Sequence, residues 1–383
     1  VPKLTPQEVE RRFFDLLAST VVDYRPLTSW SFGGSRVELP YFARVTPDTE
    51  LVFEARALLP RVEGAKWLLR FDLTGNALLK VDGEPYQGVD EQHRLAVVEP
   101  GDRSLTLEAT PRRLFGEAAW FFAFLSSSAT AVLWEGFNLA LALLDLLQLA
   151  RRRSELMPAL ERVAQEIEVT PSVLQAHATV RALYGFLGIE GSPEYRGPRW
   201  EHAYVSSVYG DPVAAGLLPD TPRPSLSEVL DTVERVKRAL EFAPAGARGR
   251  VYLFGHSHID TAWLWPFSET RRKVRRTFAT IVRLAKMGYR FTYVQSGAQN
   301  YQWLEEQDPQ LFAEVKKLVE AGAWLPIGGM WVESDTQLVS GESLARQFLY
   351  GQLYFEEKFG RRSRIGWLPD SFGFSTQLPQ VMR

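Results

Sequence analysis

A chain of 383 residues, 45% apolar and 23% charged, has the composition of a soluble globular protein and the length of two or three domains. A net charge of -2 supplies no basic excess for counterion release from a nucleic acid, and the absence of cysteine excludes disulfides and thiolate zinc sites. The start, Val1-Pro2-Lys3-Leu4, has neither the basic and apolar blocks of a signal peptide nor a methionine, so a trimmed, cytoplasmic protein is expected.

The first predicted element is a helix over Pro6 to Ser19. Thr5 can cap it, Pro6 occupies the first helical position, Glu8 closes a capping box, and Val9, Phe13, Leu16 and Leu17 recur at helical spacing. Residues 1–28 are therefore read as a helix and linker. From 29 to 134, short Val-, Leu-, Phe- and Trp-rich runs alternate with the turn pairs Gly33-Gly34, Pro47-Asp48, Gly75-Asn76, Asp82-Gly83 and Gly101-Asp102. Leu51–Ala57 and Lys66–Phe71 read as strands, and Ala77–Tyr86 resembles a jelly-roll hairpin, so a β-sandwich is predicted. The uncharged stretch Ala118–Trp134 is shorter than the ~20 apolar residues of a spanning helix and carries Ser126-Ser127-Ser128, which favours buried strands and no membrane partner.

Residues 135–249 read as helical, with a Leu-rich stripe over Leu139–Ala150, a continuation over Pro158–Ile167, and Ser225–Phe242 opening on a Ser225/Glu228 capping box. A Gly- and Pro-rich loop is expected over 188–224 and a boundary at 243–249. Residues 250–383 then alternate strand and helix. Strands are predicted at Val251–Phe254, Phe291–Gln295, Trp324–Ile327 and Arg364–Leu368, and helices at Thr270–Met287, Asp308–Gly322 and Gly341–Phe359. Four strands are fewer than a closed barrel of roughly 250 residues holds, so an incomplete β/α barrel is expected, truncated at residue 383.

Three segments at predicted strand ends carry chemistry. In extended backbone, His256, His258 and Asp260 project to one face, and imidazole with carboxylate is the ligand set that suits zinc where thiolates are absent. Core histidines are the bland alternative, and the clustering at a strand end argues against it. Asp370, after Gly366-Trp367-Leu368-Pro369, ends another predicted strand; it is either a helix cap or a carboxylate nucleophile kept ionised by an adjacent metal. In Ile327–Asp335, Trp331 can stack on a sugar and Glu333 or Asp335 can bond hydroxyls; a loop with surface acids explains the segment equally.

Gly255-His256-Ser257-His258-Ile259-Asp260-Thr261-Ala262-Trp263-Leu264-Trp265-Pro266 resembles the first signature of class II α-mannosidases, glycoside hydrolase family thirty-eight. Gly328–Glu333 with Ser340–Ser343 is similar to the family's second block, and Trp367–Ser375 to its nucleophile block, in the wording of the cytosolic and vacuolar branch. The match covers Val251 to Arg383; residues 1–250 match only in general layout.

The resemblance implies a retaining α-mannosidase acting on mannose-containing oligosaccharides. It implies zinc, or another divalent metal such as cobalt, on His258, Asp260 and Asp370, with Asp370 also the nucleophile and His256 beside the ligand set rather than in it. Trp263 would line the mannose subsite, with Trp331 and Asp335 as further lining residues. A further metal-binding His and the acid/base carboxylate of the family pattern have no counterpart up to residue 383. The 383-residue piece alone is therefore expected to bind zinc weakly and to turn over little substrate. Oligomeric state stays open, a homo-oligomer included. Two other readings compete. A metal-dependent amidohydrolase or deacetylase would use both His256 and His258, but no His follows Ile259 to serve it. A non-catalytic carbohydrate-binding module would place the function in 29–134.

Overall fold

The computed structural model describes residues 3–46, 49–112, 121–184, 221–240 and 249–383. The turn expected at Pro47-Asp48, the loop expected over 188–224 as far as residue 220, and the boundary residues 243–248 lie outside these.

Helix α1 runs Pro6–Ser19, as its caps predict. The Thr5 N–H donates to Glu8 Oε2 at 2.6 Å and the Glu8 N–H to Thr5 Oγ1 at 3.3 Å, so two backbone donors with no partner inside the helix are satisfied reciprocally.

Among the described residues, eleven strands follow. One antiparallel sheet contains β1 (Val21–Pro26), β4 (Tyr41–Val45), β6 (Ala65–Leu73), β9 (Leu95–Val98) and β11 (Phe121–Leu133). The other has the order β3 (Ser35–Glu38), β2 (Ser29–Phe32), β5 (Leu51–Leu59), β10 (Gly101–Thr110), β7 (Asn76–Val81) and β8 (Glu84–Asp90). Trp30, Phe53 and Leu107 of the second sheet share one core with Trp67, Leu69 and Phe71 of the first, which makes the pair the predicted sandwich. Asp82 (φ 54°) and Gly83 (φ 86°) form the two-residue loop between β7 and β8, where both central positions are left-handed as the strand twist favours. Strand β1 falls within the 1–28 stretch read as helix and linker. Its short polar-interrupted run becomes a strand because β11 is long enough to pair with it, Tyr24 against Thr130.

The outer face of the first sheet is covered by helices. Leu68 and Val132, neighbours of the inward Leu69 and Ala131, join α1, α2 (Trp134–Ala150), α3 (Met157–Gln165), α4 (Val173–Tyr184) and α5 (Leu226–Leu240) in a second core. Burial on both faces explains why β6 is buried without alternation from Trp67 to Leu73, with Arg70 and Asp72 included as an ion pair. The Ser225/Glu228 capping box ahead of α5 is present.

Residues 249–383 form a parallel sheet, β12 (Gly255–His256), β13 (Tyr293–Gln295) and β14 (Trp324–Pro326), with helices α6 (Phe267–Lys286), α7 (Ala298–Gln307), α8 (Pro309–Glu320), α9 (Gly341–Phe359) and α10 (Leu378–Met382). Two strand expectations are corrected. Val251–Phe254 is not a strand: all four residues are exposed, and pairing begins only at Gly255, opposite Tyr293, at the edge of the sheet. Arg364–Leu368 forms no ladder either; one backbone bond, from Gly328 N–H to the Ile365 carbonyl at 3.0 Å, ties it to the segment after β14. Helix α7, absent from the sequence reading, is anchored by Tyr301, whose buried hydroxyl donates to the Gln295 carbonyl and accepts from the Trp324 indole.

The two halves meet where α6 crosses β8. The Gly88 N–H donates to Thr280 Oγ1 at 2.9 Å, and a Cβ at Gly88 would sit 3.0 Å from that of Arg276. Arg275 adds ion pairs to Glu108 of β10 and to Asp308.

Candidate active site

After β12 the chain runs on without regular structure, and within it the side chains of His258 and Asp260 meet. Thr270, fully buried in the first turns of α6, holds the segment in place: its hydroxyl donates to the Thr261 carbonyl at 2.7 Å and accepts from the Trp265 indole at 3.0 Å. Asp370 arrives from the loop after α9. His258 Nε2 lies 3.4 Å from Asp260 Oδ1 and 3.4 Å from Asp370 Oδ2, and one ligand atom from each of the three falls within 4.8 Å of the others.

A tetrahedral ion with bonds of roughly 2.0–2.2 Å spaces its ligands roughly 3.3–3.6 Å apart, so the two measured separations suit such an ion. The donor set, one imidazole and two carboxylates, is also one that zinc accepts.

A further carboxylate completes the surroundings. Glu333, from the loop after β14, approaches the other ring nitrogen of His258, with Oε2 3.2 Å from Nδ1, and its second oxygen accepts from the Ser296 hydroxyl. Glu333 raises the His258 pKa above the ordinary imidazole value, against the opposing effect of burial. An acid in ion-pair contact with the outer nitrogen favours a proton there and leaves Nε2 facing Asp260 and Asp370. His256 is engaged elsewhere. Its Nε2 accepts the Trp367 indole N–H at 3.1 Å, the rings meet edge to face, and burial lowers its pKa. That bond occupies one of the two ring nitrogens that a two-histidine amidohydrolase centre could use.

The expected lining residues differ in placement. Trp263 is largely exposed and meets Trp265 edge to face at 5.3 Å. Trp331 is half-buried against Tyr354, and its indole N–H donates to Gln299 at 2.8 Å. Asp335 is exposed, with Oδ1 accepting the backbone N–H groups of Gln337 and Leu338, both at 2.7 Å. From this loop it is Glu333, not Asp335, that reaches His258. The sequence offers both acids and the expectation settles on Asp335; the period-two placement of Trp331, Glu333 and Asp335 does not separate them, and it is Glu333 that the fold brings to His258.

A family profile described as "Glycosyl hydrolases family 38 N-terminal domain" matches residues 248–383, the segment that holds every residue of this cluster. Residues 248–383 belong to glycosyl hydrolase family 38. This family 38 segment is similar to "Alpha-mannosidase G" of Dictyostelium discoideum, 48% identical over 134 residues, which are 35% of this chain and 12% of that protein. The "Alpha-mannosidase" of Saccharomyces cerevisiae is 43% identical over 157 residues, 41% of this chain and 14% of the relative. "Alpha-mannosidase 2C1" of Mus musculus is 47% identical over 133 residues, 35% and 13% respectively. The matched stretch thus spans only 12–14% of the length of these curated relatives. Among the described residues no helix is long and apolar enough to cross a membrane.

Proposed function

We propose that this chain carries the metal-holding and nucleophile-bearing part of a retaining α-mannosidase that acts on terminal α-linked mannose of oligosaccharides. The observation behind the reading is the convergence of His258, Asp260 and Asp370, from stretches more than a hundred positions apart, inside a family 38 segment whose relatives are named α-mannosidases. Residues 250–383 are the catalytic unit in this reading, with 29–134 and 135–249 as accessory units.

His258, Asp260 and Asp370 would hold zinc, with cobalt as an alternative occupant. A bound divalent ion there supplies Lewis-acid binding of sugar hydroxyls and keeps neighbouring carboxylates ionised. The remaining work falls to the protein. Glu333, itself bonded by Ser296, sets its charge beside Nδ1 of His258 and so favours the tautomer that presents Nε2. Thr270 fixes the loop that bears Asp260 and Trp263. The Trp263 indole offers a face to the pyranose, while Trp331 and Asp335 bound the site less directly because their polar groups are already bonded locally. The Asp370 carboxylate attacks the anomeric carbon as the glycosidic C–O bond breaks, and the departing oxygen takes a proton from a general acid. Water then cleaves the mannosyl ester, so the anomeric configuration is retained.

A 2-deoxy-2-fluoro mannosyl donor with a good leaving group tests this on the whole protein that contains these residues. Peptide mass spectrometry should find the sugar esterified to Asp370. Steady turnover of an aryl α-mannoside with no adduct at Asp370 would reject the assignment.

A further inference from the structure

A cavity of about 280 Å³ lies beside the carboxylate cluster, at the junction of α6, β8 and the segment after β12. His258 belongs to its lining and to the cluster alike, so the two spaces share one imidazole. The rest of the wall comes from both halves of the molecule: Asn76, Gln87, Asp90 and His93 from the sandwich, and Lys273, Arg276 and Thr280 from α6, with the Arg276 guanidinium already paired to Glu269 at 2.6 Å.

The polar groups of this wall are incompletely used. The Lys273 ammonium lies 4.4 Å from the centre of the Trp265 ring, and among the described residues no hydrogen bond or ion pair reaches it. Lys273 is half-buried and its ammonium has three donors, which are left to solvent or to a ligand in the cavity. Gln87 donates through Nε2 to the Leu95 carbonyl at 2.7 Å; its amide oxygen remains an acceptor. Asp90 holds the His93 ring, 3.0 Å from Oδ1 to Nδ1, and accepts two backbone N–H groups from the same turn.

This composition selects among ligand classes. An apolar ligand would strand the ammonium and the amides without partners. An anion placed against Lys273 would also meet the Asp90 carboxylate. A neutral polyhydroxylated ligand has donors and acceptors on every carbon and answers both kinds of group. We propose that the cavity is a second sugar subsite, which receives the neutral hexose attached to the mannose at the cluster, with Lys273 and the sandwich residues Asn76 and His93 bonding its hydroxyls. The proposal rests on the α-mannosidase reading and goes beyond it in one respect: the sandwich becomes part of substrate recognition.

The test compares two substrates on the whole protein, a linear α-manno-trisaccharide and an aryl α-mannoside, in the unmodified form and in Lys273→Met and His93→Ala. The quantity read is the ratio of kcat/KM for the trisaccharide to kcat/KM for the aryl mannoside, which cancels any general loss of folded enzyme. Loss of a charged, half-buried donor should lower the ratio roughly tenfold in Lys273→Met, through KM, and loss of the exposed imidazole about threefold in His93→Ala. Because His93 lies on the surface, its variant tests the wall without disturbing the interior. A ratio unchanged in both variants, with aryl-mannoside hydrolysis intact, overturns the subsite and leaves the α-mannosidase reading standing. Hydrolysis of neither substrate by the unmodified protein overturns that reading and the subsite together.

Discussion

At Asp90 a single carboxylate serves as turn former and ion-pair partner. Its Oδ1 accepts the N–H groups of Gln92 and His93, and the His93 ring stands 3.0 Å away. Burial opposes ionisation of Asp90, but the His93 ring and the two N–H donors outweigh it and lower its pKa to about 2; the same contact raises His93. The signs are opposite for the two partners. A depressed acid contributes stability that is complete above its unfolded pKa of about 3.9 and gone once pH falls through about 2. A raised imidazole contributes fully below its unfolded pKa of about 6.5 and ceases to contribute as pH rises through its folded value. Asp90→Asn keeps an oxygen for the turn and deletes the charge. Its deficit relative to the unmodified protein should therefore peak between about pH 4 and 6.5 and shrink on both sides. Its size is that of an exposed pair, about 0.2–1 kcal/mol, because the His93 side chain is 75% exposed. Urea midpoints of both proteins from pH 2.5 to 8 measure this, and a deficit that does not vary with pH contradicts it.

Among the elements, helix α9 crosses the loop that carries Glu333 with no room to spare. A Cβ at Gly351 would overlap the Gly329 carbonyl oxygen and the Met330 carbonyl carbon, backbone atoms that cannot rotate away. The loop is tied to the same helix by the Trp331 N–H on the Gln347 carbonyl and the Val332 N–H on Gln347 Oε1. Gly351→Ala should cost about 1–3 kcal/mol by overpacking and shift Glu333 away from His258. The second effect has its own readout, a weaker zinc affinity by isothermal titration in protein that remains folded by circular dichroism. Unchanged affinity would mean that the helix does not position the acid. Elements of this kind divide sharply in how far the sequence reveals them. Helices α1 and α9 are legible to the residue, because Thr5 and Ser340 cap their starts and Gly360, in the left-handed region, ends α9. The strands around the cluster are not. Val251–Phe254 and Arg364–Leu368 have the right composition, yet a strand exists only where a neighbour supplies the ladder, and composition does not encode the neighbour. Helix α7 is hidden for the converse reason, since its polar sequence is held by tertiary bonds through Tyr301. The site divides the same way: the strand-end spacing exposes His258 and Asp260, whereas the approach of Glu333 depends on a loop path set by Gly328, Gly329 and α9.

Across the whole molecule, the proposed ion would join a segment at 258–260 to the loop at 370, two stretches that Trp367 also links through its bond to His256 and its contact with Phe254. The family 38 half exposes much apolar surface near both, Val251 to Phe254 on one side and Ile365, Phe372 and Phe374 on the other. Packing therefore holds these segments loosely, and a shared ligand should contribute a large part of what fixes them. Without metal, Asp260 and Asp370 place two carboxylates against a single imidazole, an arrangement that like-charge repulsion disfavours. Asp370→Ala removes one of those charges from a half-exposed position and creates no cavity in the core, so the metal-free variant should be as stable as the unmodified protein or slightly more so. The response to zinc should reverse that order. A ligand that binds only the folded state stabilises by about 2.7 kcal/mol at a hundredfold excess over its Kd, and chelation should return the protein to its metal-free midpoint. The variant, with two ligands in place of three, should gain far less at the same zinc concentration. Thermal or urea unfolding of both proteins, with zinc and with a chelator, measures the four stabilities directly. If the variant shows the full zinc-dependent gain, the ion is held somewhere other than between these two segments.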